Sequence, residues 1–153
     1  MATKTPLVTS YARMWPREVF DRDVSVKDSP RRKLTLARTL DILKKPGVYI
    51  LYRDGVPYYI GKATKMRSRL WQHALNPKTR HYNLWNFFSF FVVEDPDQRD
   101  EIEGILIAAM PTANSARPKL PREQLPKEVT AMLRETRWFQ ANPLRKPGKE
   151  GTD

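Results

Sequence analysis

The sequence predicts an α/β (α+β) domain in which a small three-stranded, mainly antiparallel sheet is flanked by helices. Three observations carry this. The stretch "GVYILYRDGVPYYIGK", Gly47 to Lys62, is an apolar run folded about one Asp-Gly pair, the signal of a β-hairpin. "WNFFSFFVV", Trp85 to Val93, is apolar on both faces and rich in aromatic and β-branched residues, as a central buried strand is. Between and after these lie two helical patterns, "KATKMRSRLWQHA" and "RDEIEGILIAAM", the second running from Arg99 to Met110 and stopped by Pro111.

Around that centre the composition shifts. Residues 1–34 mix Tyr11, Trp15 and Phe20 with Pro16, Pro30 and the basic run Arg31-Arg32-Lys33, and are expected to form a basic arm with short helical pieces. A short helix over "LTLARTLDILKK" then leads to Pro46, whose ring and missing N–H end it and open a strand. The central domain is expected to span residues 35–118. Residues 119–142 read as a helical extension in which Val129, Met132, Leu133 and Phe139 follow helical spacing, suited to pack on the domain or on a second copy as a homodimer. Residues 143–153 are too polar to bury and are expected to be disordered.

The chain has 153 residues, enough for one core, and a formal charge of +11, so its field concentrates polyanions and points to nucleic acid as partner. It contains no cysteine, and only His73 and His81 offer imidazole, which excludes a zinc cluster and a thiol nucleophile. Any metal must then be a hard ion held by oxygen. The start lacks a signal-peptide core and no apolar run approaches the roughly 18 residues of a membrane span, so a cytoplasmic protein with no membrane partner is expected.

The hairpin admits two registers. A two-residue loop of Asp54 and Gly55 pairs Arg53 with Val56 and puts Tyr49 and Tyr59 on opposite faces. A three-residue loop, Arg53-Asp54-Gly55, pairs Tyr52 with Val56 and sets Tyr49 directly across from Tyr59. The second sorts the residues better. Val48, Ile50, Tyr52, Val56, Tyr58 and Ile60 then share a core face, and the two phenols meet on the other with glycines at both ends. Such a pair is also an ordinary cross-strand aromatic contact. In the helix that follows, Lys65, Arg69 and His73 stand four apart in one stripe beside Met66, Leu70 and Ala74. A basic stripe is commonly a solvated face, but here it starts after Gly61-Lys62, where a strand feeds a helix whose free N–H groups favour an anion such as phosphate.

These residues resemble the GIY-YIG nuclease superfamily. "GVY", "YIG" with its tyrosine ten residues later, and an arginine eight residues beyond the last glycine fall in the family's order. "PGVY" with "YIGKATKMRSRL" is most similar to the amino-terminal nuclease domain of the excinuclease of bacterial nucleotide-excision repair, whereas His73 is more like the phage homing-endonuclease branch. "EGILIAAMPTAN" supplies the glutamate, proline and asparagine of the second landmark as Glu103, Pro111 and Asn114, with the last spacing about one residue short. The resemblance covers residues 46 to about 116.

It implies a stand-alone, metal-dependent endonuclease of DNA, with one divalent ion, magnesium or in its place manganese, on Glu103. Arg69 would hold phosphate oxygens through paired hydrogen bonds. Tyr49 or Tyr59 would take a proton from the attacking water. Analogy favours Tyr49 as the base with Tyr59 hydrogen-bonding water or phosphate, and His73 orients a tyrosine or takes the proton itself. A free tyrosine titrates near 10, about three units or about 4 kcal/mol too high for neutral pH, so Lys62, Arg69 and the metal are needed to favour phenolate. Lys62, Lys65, Arg67, Arg69 and Asn114 are the expected DNA contacts, to duplex, branched or single-stranded substrate. Glu103 has a bland alternative, since Glu101 and Glu103 read as first-turn carboxylates that offset a helix dipole, and Glu101 is the fallback ligand. Glu94, Asp95 and Asp97 read as turn residues, and His81 as a surface-loop histidine. The rival functions are a DNA-binding module without useful cleavage and an assembly adaptor using Trp138 and Phe139.

Overall fold

Asp54 and Gly55 both take positive φ, 51° and 79°, and close the hairpin as a two-residue turn. This is the left-handed geometry that matches strand twist and that Asp-Gly accommodates. In this computed structural model, which describes residues 4–26, 29–115, 118 and 120–134, the hairpin strands are β4 (Gly47–Arg53) and β5 (Val56–Ala63). Arg53 pairs with Val56 and Tyr52 with Pro57, but Leu51 pairs with Tyr59, so one extra residue bulges at Tyr58. The three-residue loop is therefore not formed. Tyr49 stands across from Gly61, and Tyr59 across from Leu51. The bulge nonetheless restores the parity that a three-residue loop would have given: Tyr49 and Tyr59 share a face, two residues out of register.

The remaining elements are β1 (Ser10–Pro16), β2 (Asp23–Val26), β3 (Ser29–Thr35), α1 (Met66–Leu75), β6 (Phe87–Val92), α2 (Pro96–Ala109) and α3 (Lys127–Arg134). The main sheet has the antiparallel order β1-β6-β4-β5, and β2 and β3 pair separately as a two-stranded ribbon. The α+β class stands, with a fourth strand. Residues 10–16, expected among short helical pieces, form that strand on the edge of β6. Its alternation is broken between Ala12 and Trp15, where Met14 takes φ 52° and its N–H donates to Ser89 Oγ at 2.9 Å. Trp15 packs edge-on against Phe88 and Phe90. The helix expected over residues 34–45 is instead two 3-10 turns, Leu36–Thr39 and Asp41–Lys44, separated by extended Leu40.

The sheet buries both faces. On one, Val48, Ile50 and Ile60 pack against Ile102, Leu106 and Ile107 of α2. On the other, Tyr49, Leu51, Phe88 and Phe90 meet Met66, Leu70 and Ala74 of α1, together with Phe20, Ala37 and Leu43 from the preceding turns. α2 starts at Pro96, with Asp95 capping it by accepting from the N–H groups of Asp97 and Gln98 at 2.8 and 3.1 Å. Asp97 is thus the first-turn carboxylate, while Glu101 and Glu103 sit deeper, beyond the reach of the helix-dipole argument. A second compact unit begins at Pro121, and its described element is α3. Trp138, Phe139 and residues 143–153 lie outside the described residues. Among the described residues no helix is long and apolar enough to cross a membrane.

Candidate active site

The tyrosine face is built around Gly61. A side chain there would run into the Tyr49 phenol, so the glycine lets the ring lie across β5 and stay wholly buried. Tyr49 Oη is 2.8 Å from His73 Nε2, a buried hydrogen bond from β4 to α1. The Arg69 guanidinium, one turn earlier on α1, faces both the Tyr49 and Tyr59 phenols. Burial pushes the Tyr49 pKa well above the ordinary phenol value, and Arg69 opposes that rise.

His73 is buried as well, and burial, followed by the charge of Arg69 and the proximity of His81, lowers its pKa to about 4. It is neutral at neutral pH. Its Nδ1 has no hydrogen-bond partner, so the proton is better placed on Nε2, where it is donated to Tyr49, than on a nitrogen that leaves it unshared. His81 is not a surface-loop histidine: it is 6% exposed, its ring lies 4.0 Å from that of Tyr59, and its Nδ1 is 3.2 Å from Tyr58 Oη. The bulge at Tyr58 turns both neighbouring tyrosines toward this ring. Burial, then Arg80 and Arg69, lower the His81 pKa. Nothing in "KTRHYN" signals this packing, because it depends on how the loop between α1 and β6 folds back.

Tyr59 is partly open where Tyr49 is not, and it lines a groove of about 360 Å³ with Lys62, Asp100, Glu103 and Asn114. β5 is the edge strand, so groups from both sheet faces meet around it: Tyr59 from the α1 side, Lys62 and Glu103 from the α2 side. Lys62 Nζ is 3.5 Å from Glu103 Oε2 and also pairs with Asp100, a contact that motif spacing does not anticipate. Glu101 lines the same groove and is exposed.

Asn114 lies in the groove wall with its amide spoken for. Its Oδ1 accepts from Ile60 N–H at 3.0 Å and its Nδ2 donates to Ile60 C=O at 2.7 Å. With Ala113 N–H donating to Tyr58 C=O at 2.8 Å, this segment closes the free edge of β5. Lys65 is the exposed residue at the N-terminus of α1, whereas Arg67 lines a different groove on the far side of that helix. The structure thus brings Tyr49, Tyr59, Arg69 and His73 into one cluster, places Lys62 and Glu103 on the same groove as Tyr59, and separates Arg67 from them.

No group of three or more metal-ligating side chains occurs among the described residues. Of the carboxylates that line the groove with Tyr59, Asp97, Asp100 and Glu101 are exposed, whereas Glu103 is half-buried, 21% exposed, and already faces a cation in Lys62. A single half-buried carboxylate on a water-accessible groove suits magnesium, which keeps most of its waters.

No protein-family profile matches the chain. It is 39% identical over 77 residues to the UvrABC system protein C of Thermotoga sp. strain RQ2, which covers 50% of this chain and 12% of that protein. It is 64% identical over 28 residues to the Deinococcus radiodurans protein of the same name. The chain thus spans about an eighth of the length of the Thermotoga relative and 4% of the Deinococcus one. Among solved structures, the GIY-YIG N-terminal endonuclease domain of Thermotoga maritima UvrC, as a point mutant bound to its catalytic divalent cation, is 33% identical, with 53% of this chain and 96% of that chain covered and a TM-score of 0.44. The magnesium-bound form is 34% identical, covering 48% and 89%, with a TM-score of 0.41. About half of this chain is similar to the GIY-YIG nuclease domain of UvrC.

Proposed function

We propose that this protein is a metal-dependent endonuclease that hydrolyses phosphodiester bonds of DNA. The observation that carries the reading is the meeting of Tyr59, Lys62 and Glu103 on one groove with Arg69 against the same phenol. Magnesium, the ion bound by the similar UvrC domain, would be held by Glu103, and when bound it supplies charge stabilisation at the scissile phosphate and leaving oxygen.

The chain's own groups divide the rest of the work. Tyr59 is the phenol open to the groove, so it takes the proton of the attacking water, in place of Tyr49, which is sealed in the core. Arg69 puts positive charge against the phenol that receives that proton, and Lys62 adds to it from the same groove. Arg69 also faces the phosphate, where its planar donors stabilise the charge that develops in the transition state. Tyr49 and His73 act behind it as positioning residues that hold α1 and the guanidinium against the sheet. His81, stacked on Tyr59, fixes the ring of the base. Lys65 at the start of α1 adds attraction for the backbone, and Asn114 sets the groove wall by holding β5.

The test is conversion of supercoiled plasmid to nicked or linear form by the native protein and by Glu103→Ala, with magnesium, with manganese and with chelator. Metal-dependent cleavage that Glu103→Ala loses while DNA binding remains is the expected result. Tight, salt-sensitive binding without cleavage, on plasmid and on branched or single-stranded DNA alike, would overturn the nuclease and leave a binding module.

A further inference from the structure

On the side of α1 away from the tyrosines lies a second groove, of about 600 Å³, between that helix and the β2–β3 ribbon. Its composition differs from that of the first. Arg67 and Trp71 stand four apart on α1, so they form one stripe, beside the Met66, Leu70 and Ala74 stripe that is already buried. Trp71 is 46% exposed and lines this groove, so part of its indole is open to whatever the groove holds. Lys33 from β3 and Arg38 from the first 3-10 turn after it line the same groove. With Arg67 they put three cations on the groove that Trp71 lines, against the single carboxylate of Asp23.

An exposed aromatic sharing a groove with cations is the chemistry that binds unpaired nucleotides: phosphates go to the cations and a base stacks on the ring. A duplex offers its phosphates but keeps its bases stacked on one another, so it meets the cations and not the indole. The volume lies in the range of pockets that hold small ligands, enough for a nucleotide. Continuity with the first site comes from the helix itself. Arg67 and Arg69 are two residues apart on α1 and point to opposite flanks, so a strand that crosses the helix at this turn would meet both.

We propose that this second groove binds an unpaired stretch of the DNA substrate, with Trp71 stacked on a base and Lys33, Arg38 and Arg67 on its phosphates. It extends the DNA-cleaving reading by giving the enzyme a preference for substrates with a single-stranded segment. The test reads binding alone. Fluorescence anisotropy of a labelled single-stranded DNA 12-mer and of the matching duplex is measured in chelator with native protein, Trp71→Ala, Trp71→Phe and Arg67→Gln. Trp71→Ala should weaken single-strand binding by about 5- to 150-fold and duplex binding by less than twofold, while Trp71→Phe keeps most of the affinity. Arg67→Gln should reduce the slope of log affinity against log salt by about 0.7 on the single strand. An unchanged melting temperature of Trp71→Phe guards against a folding artefact.

Single-strand affinity of Trp71→Ala within twofold of native would overturn the proposal, as would an equal loss on both substrates. Tenfold tighter binding of a labelled RNA 12-mer of the same sequence than of the DNA 12-mer would overturn the choice of DNA. Because no metal or cleavage enters the assay, Trp71-dependent binding by a protein that fails the plasmid test would support this groove and sink the nuclease alone.

Discussion

Tyr49 Oη and His73 Nε2 meet at 2.8 Å inside the interface between the sheet and α1, and both side chains are shut away from solvent. The tyrosine of "GVY" is therefore tied to the helix that carries Arg69, and the tyrosine of "YIG" is the one left facing the groove.

Two conservative substitutions separate these roles. Tyr59→Phe should fold normally and lose about 10²- to 10⁴-fold in cleavage rate with DNA affinity little changed, the loss expected for a missing general base. Tyr49→Phe should cost about 1–3 kcal/mol of stability, because His73 is left buried without its partner, and should lower cleavage less. Single-turnover nicking and urea unfolding check both. A larger rate loss in Tyr49→Phe would return the base to Tyr49.

Acid should loosen this protein through His73. Its folded pKa of about 4 lies below the ordinary 6.5, so the unfolded chain takes up a proton between those values and the folded one does not. The stability contribution is complete above pH 6.5, falls as pH drops toward 4, and levels off below it. The loss is on the order of 3 kcal/mol, the equivalent of a shift of that size. Thermal melts of native protein and His73→Gln across this window should show a shallower acid slope in the variant.

Gly61→Ala should be among the most damaging single-methyl additions in the fold. The new Cβ would occupy the place of the Tyr49 phenol, and that ring is packed on all sides. A loss of about 1–3 kcal/mol by urea unfolding is expected, together with slower cleavage, since the displaced ring carries His73 with it. In the double variant with Tyr49→Ala the two costs should be strongly non-additive, as they are for groups in direct contact.

Lys62 competes for the carboxylate that would hold the metal. Removing the ammonium in Lys62→Met frees Glu103 and Asp100 of their cation. Magnesium affinity, measured by calorimetry without DNA, should rise by about two- to fivefold, since the contact is partly exposed and worth about 1 kcal/mol at most. Cleavage should fall even so, because the phenolic site loses a positive neighbour. Weaker magnesium binding in the variant would mean that Lys62 helps build the site instead of occupying it.

The sequence specified which faces the hairpin residues take more firmly than it specified their partners. Face depends on parity, and the bulge at Tyr58 changed the pairing of Tyr49 from Tyr59 to Gly61 while leaving both phenols on one side. β6 and α2 were legible because long apolar runs and a proline stop leave few alternatives, although the cap at Asp95 starts α2 three residues early. β1 was hidden for a local reason: its alternation is broken at Met14 by a positive φ. The site followed the same division. Tyr59, Arg69 and Glu103 could be placed from motif spacing, whereas His81 is brought in by a loop with no periodicity, and Arg67 is sent away by the helical phase that brings Arg69 in.

The pairing of β1 with β6 sets how this protein can be cut and joined. A variant trimmed to begin at residue 35 would keep every motif that carries the GIY-YIG resemblance, yet strip the cover from β6. The Phe88 and Phe90 rings that Trp15 and Phe20 shield would lie beside a row of unpaired backbone groups. Such a variant should precipitate or associate edge to edge. Deletions for crystallisation or labelling are better taken from the region after residue 120, where a separate compact unit begins.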